Sequence, residues 1–127
     1  MKVHILTFKD NDIAQQYAQY AYDIWGEHLL QVMICENGWF DINLRAEDWA
    51  YPSFWLCQLN DNPKYTWQQS IIHDKRFTTD WKRHIEKCQE WIERWVPFYW
   101  PDRVSKYTKW IECRSYAKKY VYSLTKI

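Results

Sequence analysis

Glycine is nearly missing from this chain, with 2 residues in 127. A loop that cradles phosphates needs several glycines so that backbone N–H groups can close on the anion, and two glycines cannot build one. No C-x-x-C pair occurs among Cys35, Cys57, Cys88 and Cys113, which argues against a zinc ribbon or a thioredoxin-like centre. His4, His28, His73 and His84 form no H-E-x-x-H or similar ligand cluster, so neither a metal nor any other cofactor is implied. No stretch approaches the roughly 20 apolar residues of a membrane span. The opening "MKVHILTF" has no small-residue cleavage site, and internal repeats, Gly/Ser linkers and low-complexity segments are missing too. These absences lead us to expect one domain over residues 1–127, made in the cytosol without a signal peptide and carrying reduced thiols. Two bridges become possible only if the protein reaches an oxidising space, and the sequence leaves their pairing open.

Aromatic side chains are abundant instead: 10 Trp, 10 Tyr and 5 Phe. Such a load favours a packed aromatic core and excludes disorder, which depletes these residues. The formal net charge of +1 points to no particular partner. Its distribution is uneven, because the chain from Asp102 onward carries seven Lys/Arg against Asp102 and Glu112. A basic end of this kind suits an anionic polymer, whether cell wall or nucleic acid, and equally an ordinary solvated lysine face.

Periodicity predicts a mostly α fold. "NDIAQQYAQYAYDIW" repeats Ala14, Tyr17, Ala21 and Ile24 at helical spacing, with Asn11 or Asp12 as cap, and Gly26 punctuates. "EHLLQVMICE" places Leu29, Val32, Met33 and Glu36 on one face of a second helix, which Asn37-Gly38 stops. Residues 39–63 have poor periodicity and read as an irregular or short-strand insertion after the second helix. "YTWQQSIIHD" suggests a short helix. "TDWKRHIEKCQEWIERWV" is the clearest helix, with Trp81, Ile85, Cys88, Ile92 and Trp95 in one stripe, Thr79 or Asp80 as cap and Pro97 as stop. A last helix is expected from about 104 to 124 along Tyr107, Trp110, Cys113, Ala117, Val121 and Leu124. "MKVHILTF" reads as a packed strand or arm.

Glu36 is the residue that this pattern makes unusual. A carboxylate on the buried face loses solvation, which raises its pKa and favours the neutral acid. The negative pole of the helix dipole at the same end acts in the same direction. A neutral carboxylic acid can donate a proton to a glycosidic leaving oxygen. The segment that follows is rich in groups that hold sugars, with rings to stack on sugar faces and polar groups for their hydroxyls: Trp39, Asp41, Asn43, Arg45, Trp49, Tyr51, Gln58 and Asn60.

The order "ICENGWFDINLR", "WLCQLN", "RFTTDWKRHIEKCQEW" resembles the goose-type lysozyme and soluble lytic transglycosylase superfamily, and in particular small phage-type lysozyme-like domains. The likeness runs from Leu29 to Arg94, with a weaker echo at "FYWPDR". It implies an α+β lysozyme-like fold with Glu36 as general acid/base. It also implies a cleft lined by Gln58 and by the backbone around Leu56 and Cys57, to which the sugar-holding character of the segment adds Asn60, Trp39 and Asp41. Tyr99 would stand for the aromatic residue of the family's later Tyr-Asn element. The implied substrate is the glycan strand of peptidoglycan, cut between N-acetylmuramic acid and N-acetylglucosamine. A protein of this kind is virion-associated or released to the wall at lysis. The chain departs from the family pattern at Trp55, where Gly is usual, at Asn37, where Ser often follows the acid, and at Trp100-Pro101 after Tyr99. A second carboxylate, if the mechanism uses one, would come from Asp41, Glu47, Asp48 or Asp61. A lytic transglycosylase needs Glu36 alone. The alternative class is a non-catalytic phage-type interaction protein that binds a host protein or nucleic acid. Its contact surface would be the basic Arg103–Lys126 segment with Tyr107, Trp110, Tyr116 and Tyr120, rings whose helical spacing also suits core packing.

Overall fold

The computed structural model describes residues 1–6, 12–37, 45–47, 51–54, 56–74, 76–95 and 108–126. The chain is mostly helical, with a short-strand insertion after its second helical segment. Strand β1 (Lys2–Ile5) leads to helix α1 (Asp12–Glu36). Three two-residue strands follow: β2 (Arg45–Ala46), β3 (Ser53–Phe54) and β4 (Leu59–Asn60). Helices α2 (Thr66–Ile72), α3 (Arg76–Thr79) and α4 (Trp81–Trp95) come next. Helix α5 (Thr108–Tyr116) runs into a π-helical turn (Ala117–Val121) and then strand β5 (Tyr122–Thr125).

The two helices expected on either side of Gly26 are the halves of α1. They meet at a kink where Trp25 has φ −149° and Gly26 has φ 66°, ψ −160°. That last conformation is essentially reserved for glycine, and no heavy atom would meet a Cβ there within 4 Å. The glycine is therefore required by backbone geometry and not by crowding. Before the kink α1 is amphipathic, burying Ala14, Tyr17, Ala18 and Ala21. After it, Leu29 to Ile34 are all buried, so this half is a central helix surrounded by protein.

The α4 stripe is as expected: Ile85, Cys88 and Ile92 are buried, and Asp80 accepts from the Arg83 N–H at 3.2 Å as the cap. Helix α4 packs on α1. Buried residues from β1, α1, the β3–β4 turn, α2, α3, α4 and the π turn meet in one apolar cluster.

The last element corrects the sequence reading. The expected helix to Leu124 ends at Val121, and Tyr122–Thr125 pairs antiparallel with β1, Val3 opposite Leu124 and Ile5 opposite Tyr122. The helical stripe through Ala117 and Val121 runs straight into a segment, "YSLT", that also fits a two-residue period, and pairing with β1 decides between them. The other edge of β1 is closed by α1. Gln19 Oε1 accepts from Val3 N–H at 2.8 Å and Gln15 Oε1 from Ile5 N–H at 2.9 Å, while the Gln15 amide donates to the Val3 carbonyl. Two glutamines one helical turn apart thus act as a third strand, satisfying an edge that would otherwise invite another chain.

Candidate functional site

Glu36 is the final residue of the central helix and is half-buried. Its neighbour Asn37 is buried, and Asn37 N–H donates to the Met33 carbonyl at 2.8 Å, closing the last turn. Cys35 is bonded to Cys113 of α5. The end of α1 is therefore tied covalently to the C-terminal limb.

After α1 comes a small antiparallel sheet in the order β2-β3-β4, with Arg45 opposite Phe54 and Phe54 opposite Leu59. The β3–β4 turn carries "LCQ". Its last residue, Gln58, has φ 56°, the one positive φ of a non-glycine residue among the described residues. Two side chains of α4 grip this turn. His84 and Cys88, at i and i+4 on one helix face, take consecutive residues: His84 Nε2 accepts from Leu56 N–H at 3.3 Å, and Cys88 is bonded to Cys57. The other ring nitrogen, Nδ1, donates to the Phe77 carbonyl at 2.8 Å. This pairing fixes a neutral imidazole with its proton on Nδ1. Burial pushes the His84 pKa down to about 4, against the opposing pull of its hydrogen bond to Phe77.

The disulfides correct the expectation of reduced thiols. Cys35 and Cys113 approach to 6.0 Å between Cα atoms, Cys57 and Cys88 to 5.8 Å, both within bridging range. All four cysteines are paired. Each bridge lies one residue before a candidate site residue, Cys35 before Glu36 and Cys57 before Gln58. Both site elements are thereby moored by a covalent bond to a separate helix.

Not every candidate is available to a ligand. Leu56 and Cys57 are buried core residues, and Leu56 N–H is taken by His84. Asn60 has a structural post: its amide donates to the Tyr51 carbonyl and to Ser53 Oγ, both at 3.1 Å, and its N–H donates to Gln68 Oε1 at 2.8 Å. Asp61 accepts from the Gln69 amide at 3.2 Å and lies 3.3 Å from His73 Nε2, so it braces α2. Glu47 pairs with Arg45 in solvent. Trp39, Asp41, Asp48, Trp55 and Tyr99 lie outside the described residues.

No family model, curated protein or solved structure matches the chain. Its chemistry must be read from its own residues. Among the described residues no three His, Cys, Asp or Glu side chains group as metal ligands. Nor is any described helix long and apolar enough to cross a membrane.

Sequence reasoning missed a second polar region. Between the latter half of α1 and the α5–π segment lies a recess of about 360 Å³ lined by Glu27, His28, Gln31, Arg114, Ser115 and Lys118. Buried Gln31 donates to Tyr122 Oη at 2.8 Å beneath it. The available signal was Gln31, a polar residue inside the otherwise apolar run "LLQVMI".

Proposed function

We propose that this protein cleaves the glycan strands of peptidoglycan, as a muramidase or lytic transglycosylase, with Glu36 as general acid/base. One observation carries the reading: an acidic residue ends the buried central helix, and the next described element is a three-stranded antiparallel sheet whose last turn carries Gln58. A half-buried carboxyl at that place meets the needs of proton donation to a glycosidic oxygen. The left-handed backbone at Gln58 fits a functional position, where such conformations cluster. The two disulfides fit a protein that works in an oxidising, extracytoplasmic space, where the wall lies. Of the four candidate second carboxylates, Glu47 and Asp61 are engaged elsewhere, which leaves Asp41 and Asp48 for a two-carboxylate route beside the route that needs Glu36 alone.

The test is digestion of purified peptidoglycan by wild type and Glu36→Gln, with mass spectrometry of the products. Wild type should clear the suspension and the variant should lose at least about a hundredfold in rate, the scale of a lost acid/base catalyst. Terminal 1,6-anhydro sugars would mark a transglycosylase, and reducing ends a hydrolase. Equal inactivity of two folded proteins would sink the reading.

A second reading is favoured by the C-terminal rings. Tyr116 and Tyr120 are 57% and 51% exposed, their rings tilted at 46° with centres 5.2 Å apart, and Lys119 Nζ lies 5.2 Å from the Tyr120 ring centre. They do not fill the core, although their spacing allowed it. Exposed rings flanked by Lys118 and Lys119 suit an anionic partner, and charge reversal of both lysines should then abolish salt-dependent binding while leaving glycan cleavage intact.

A further inference from the structure

We propose that the recess between α1 and the α5–π segment is a binding site for a carboxylate group, with Arg114 as its main contact. The proposal is independent of glycan cleavage and rests on the charge balance of the recess. Glu27 is the acidic residue of its lining, and that charge is already met: Lys118 Nζ lies 4.0 Å from Glu27 Oε2, and the Tyr122 hydroxyl also engages the Glu27 carboxylate. His28 adds no charge near neutrality, because burial and the nearby Arg114 push its pKa down to about 4. Arg114 is then the uncompensated charge. It forms no salt bridge with a described carboxylate, although it lies near enough to His28 and Tyr122 to act on both. Among the described lining residues, Arg114 and Lys118 against Glu27 leave one surplus positive charge, which one carboxylate neutralises and a phosphate dianion would over-neutralise.

Shape agrees with charge. Arginine presents a planar fork that pairs with a planar carboxylate through two parallel hydrogen bonds. Arg114 and Lys118 are four residues apart, and Ser115 adds a hydroxyl on the same wall. The floor is rigid, since Gln31 and Tyr122 are buried and bonded to each other. The wall is irregular where α5 gives way to the π turn at Ala117–Val121, a geometry that recurs at functional sites. Cys113, next to Arg114, is pinned to α1 by its disulfide, so the guanidinium is carried on a fixed backbone. The volume of about 360 Å³ lies at the lower end for small-ligand pockets, enough for an acetylated amino acid.

Titration followed by two-dimensional amide NMR tests this on the intact, disulfide-bonded protein. The probes are N-acetylalanine, acetate, inorganic phosphate and N-acetylalanine amide, which lacks the carboxylate. Saturable shifts at residues 27–31 and 114–118 are expected with N-acetylalanine and not with its amide. Arg114→Gln should weaken binding roughly tenfold or more, as loss of hydrogen bonds to a charged group does. Arg114→Lys, which keeps the charge without the fork, should fall between, with unchanged melting temperatures for both. Acetate binding as tightly as N-acetylalanine would assign the site to small free carboxylates, and weaker acetate to a peptide terminus. Tighter binding of phosphate, shifts that never saturate, or equal binding by the amide would overturn the proposal.

Discussion

The molecule holds two small sheets by opposite means. Strands of four residues joined only to each other, or of two residues in a three-stranded sheet, are too short to stand alone. At the chain ends, β1 is secured by β5 on one edge and by Gln15 and Gln19 on the other. Its stability is spread over many uncharged hydrogen bonds. The β3–β4 turn is secured from α4 by one disulfide and one buried histidine. Concentrated anchoring makes the turn sensitive to reductant and to acid, whereas no disulfide and no buried histidine lies within the terminal sheet. The sensitive region is the one that bears Gln58.

The disulfides should give the largest effects. In the chain-entropy picture, a bridge closing 78 residues contributes about 4.5 kcal/mol and one closing 31 about 3.5–4 kcal/mol. Replacing Cys35 and Cys113 by serine should therefore lower unfolding stability more than replacing Cys57 and Cys88, as read from urea midpoints. Hydrogen exchange should separate the regions. Without Cys57–Cys88, amides of 56–60 should lose protection while those of Val3 and Ile5 keep theirs. Parallel loss at both sheets would remove the contrast.

Acid should come next. The unfolded imidazole takes up a proton near pH 6.5, and the His84 ring in the folded protein only near 4. Between those values the unfolded state binds more protons, so stability falls as pH falls from 6.5 to 4, by up to about 3 kcal/mol. His28, with its pKa also lowered to about 4, tilts the curve in the same direction. His84→Ala should cost about 2–4 kcal/mol at pH 7, because Leu56 N–H and the Phe77 carbonyl lose their partner. In that variant the pH slope should shrink to the His28 contribution. An unchanged slope would place the acid sensitivity elsewhere.

The glutamines give a smaller, more local effect. Gln15→Leu should expose the Ile5 amide and Gln19→Leu the Val3 amide to exchange, each at about 1–2 kcal/mol. If either change opens both amides equally, the edge is not held residue by residue.

What could be read beforehand follows from the range of the forces involved. Helix α4 and both halves of α1 were legible because their apolar spacing is a local signal, and Gly26 marked the kink because its backbone conformation is glycine's own. Residues 39–63 read as an irregular or short-strand insertion from their poor periodicity, and short strands are what their described part holds. The C-terminal strand was missed because its partner lies about 120 residues away, where no local period can point. Disulfide pairing was closed to sequence for the same reason, as four cysteines allow three pairings. In the sequence His84 is one of four histidines that form no ligand cluster. Only the fold brings Leu56 and Phe77 to its two nitrogens. Likewise Glu36 was legible as a carboxyl on an apolar face, whereas the Arg114 recess needs residues 27–31 and 114–118 brought together.

Gln58 offers the smallest change and the sharpest test of what the anchored turn is for. A left-handed conformation costs a residue with a Cβ about 1–2 kcal/mol relative to the usual regions, and glycine almost nothing. Gln58→Gly also frees the unfolded chain, which offsets part of the relief. The net expectation is a gain of about 0.5–1 kcal/mol in urea unfolding. Backbone conformation alone would then favour glycine at this position, and the Gln58 side chain, which is engaged in the fold, must offset that preference through its contacts or through function. If Gln58 contacts the glycan, Gln58→Gly should be more stable than wild type and slower on peptidoglycan, with the loss chiefly in KM if the amide only holds substrate. Gln58→Ala keeps the strain and removes the amide, so it should show the same kinetic loss without the gain. A Gln58→Gly protein that is stabilised and fully active would make the strained residue an ordinary turn, and Glu36 would have to carry the glycosidase reading without it.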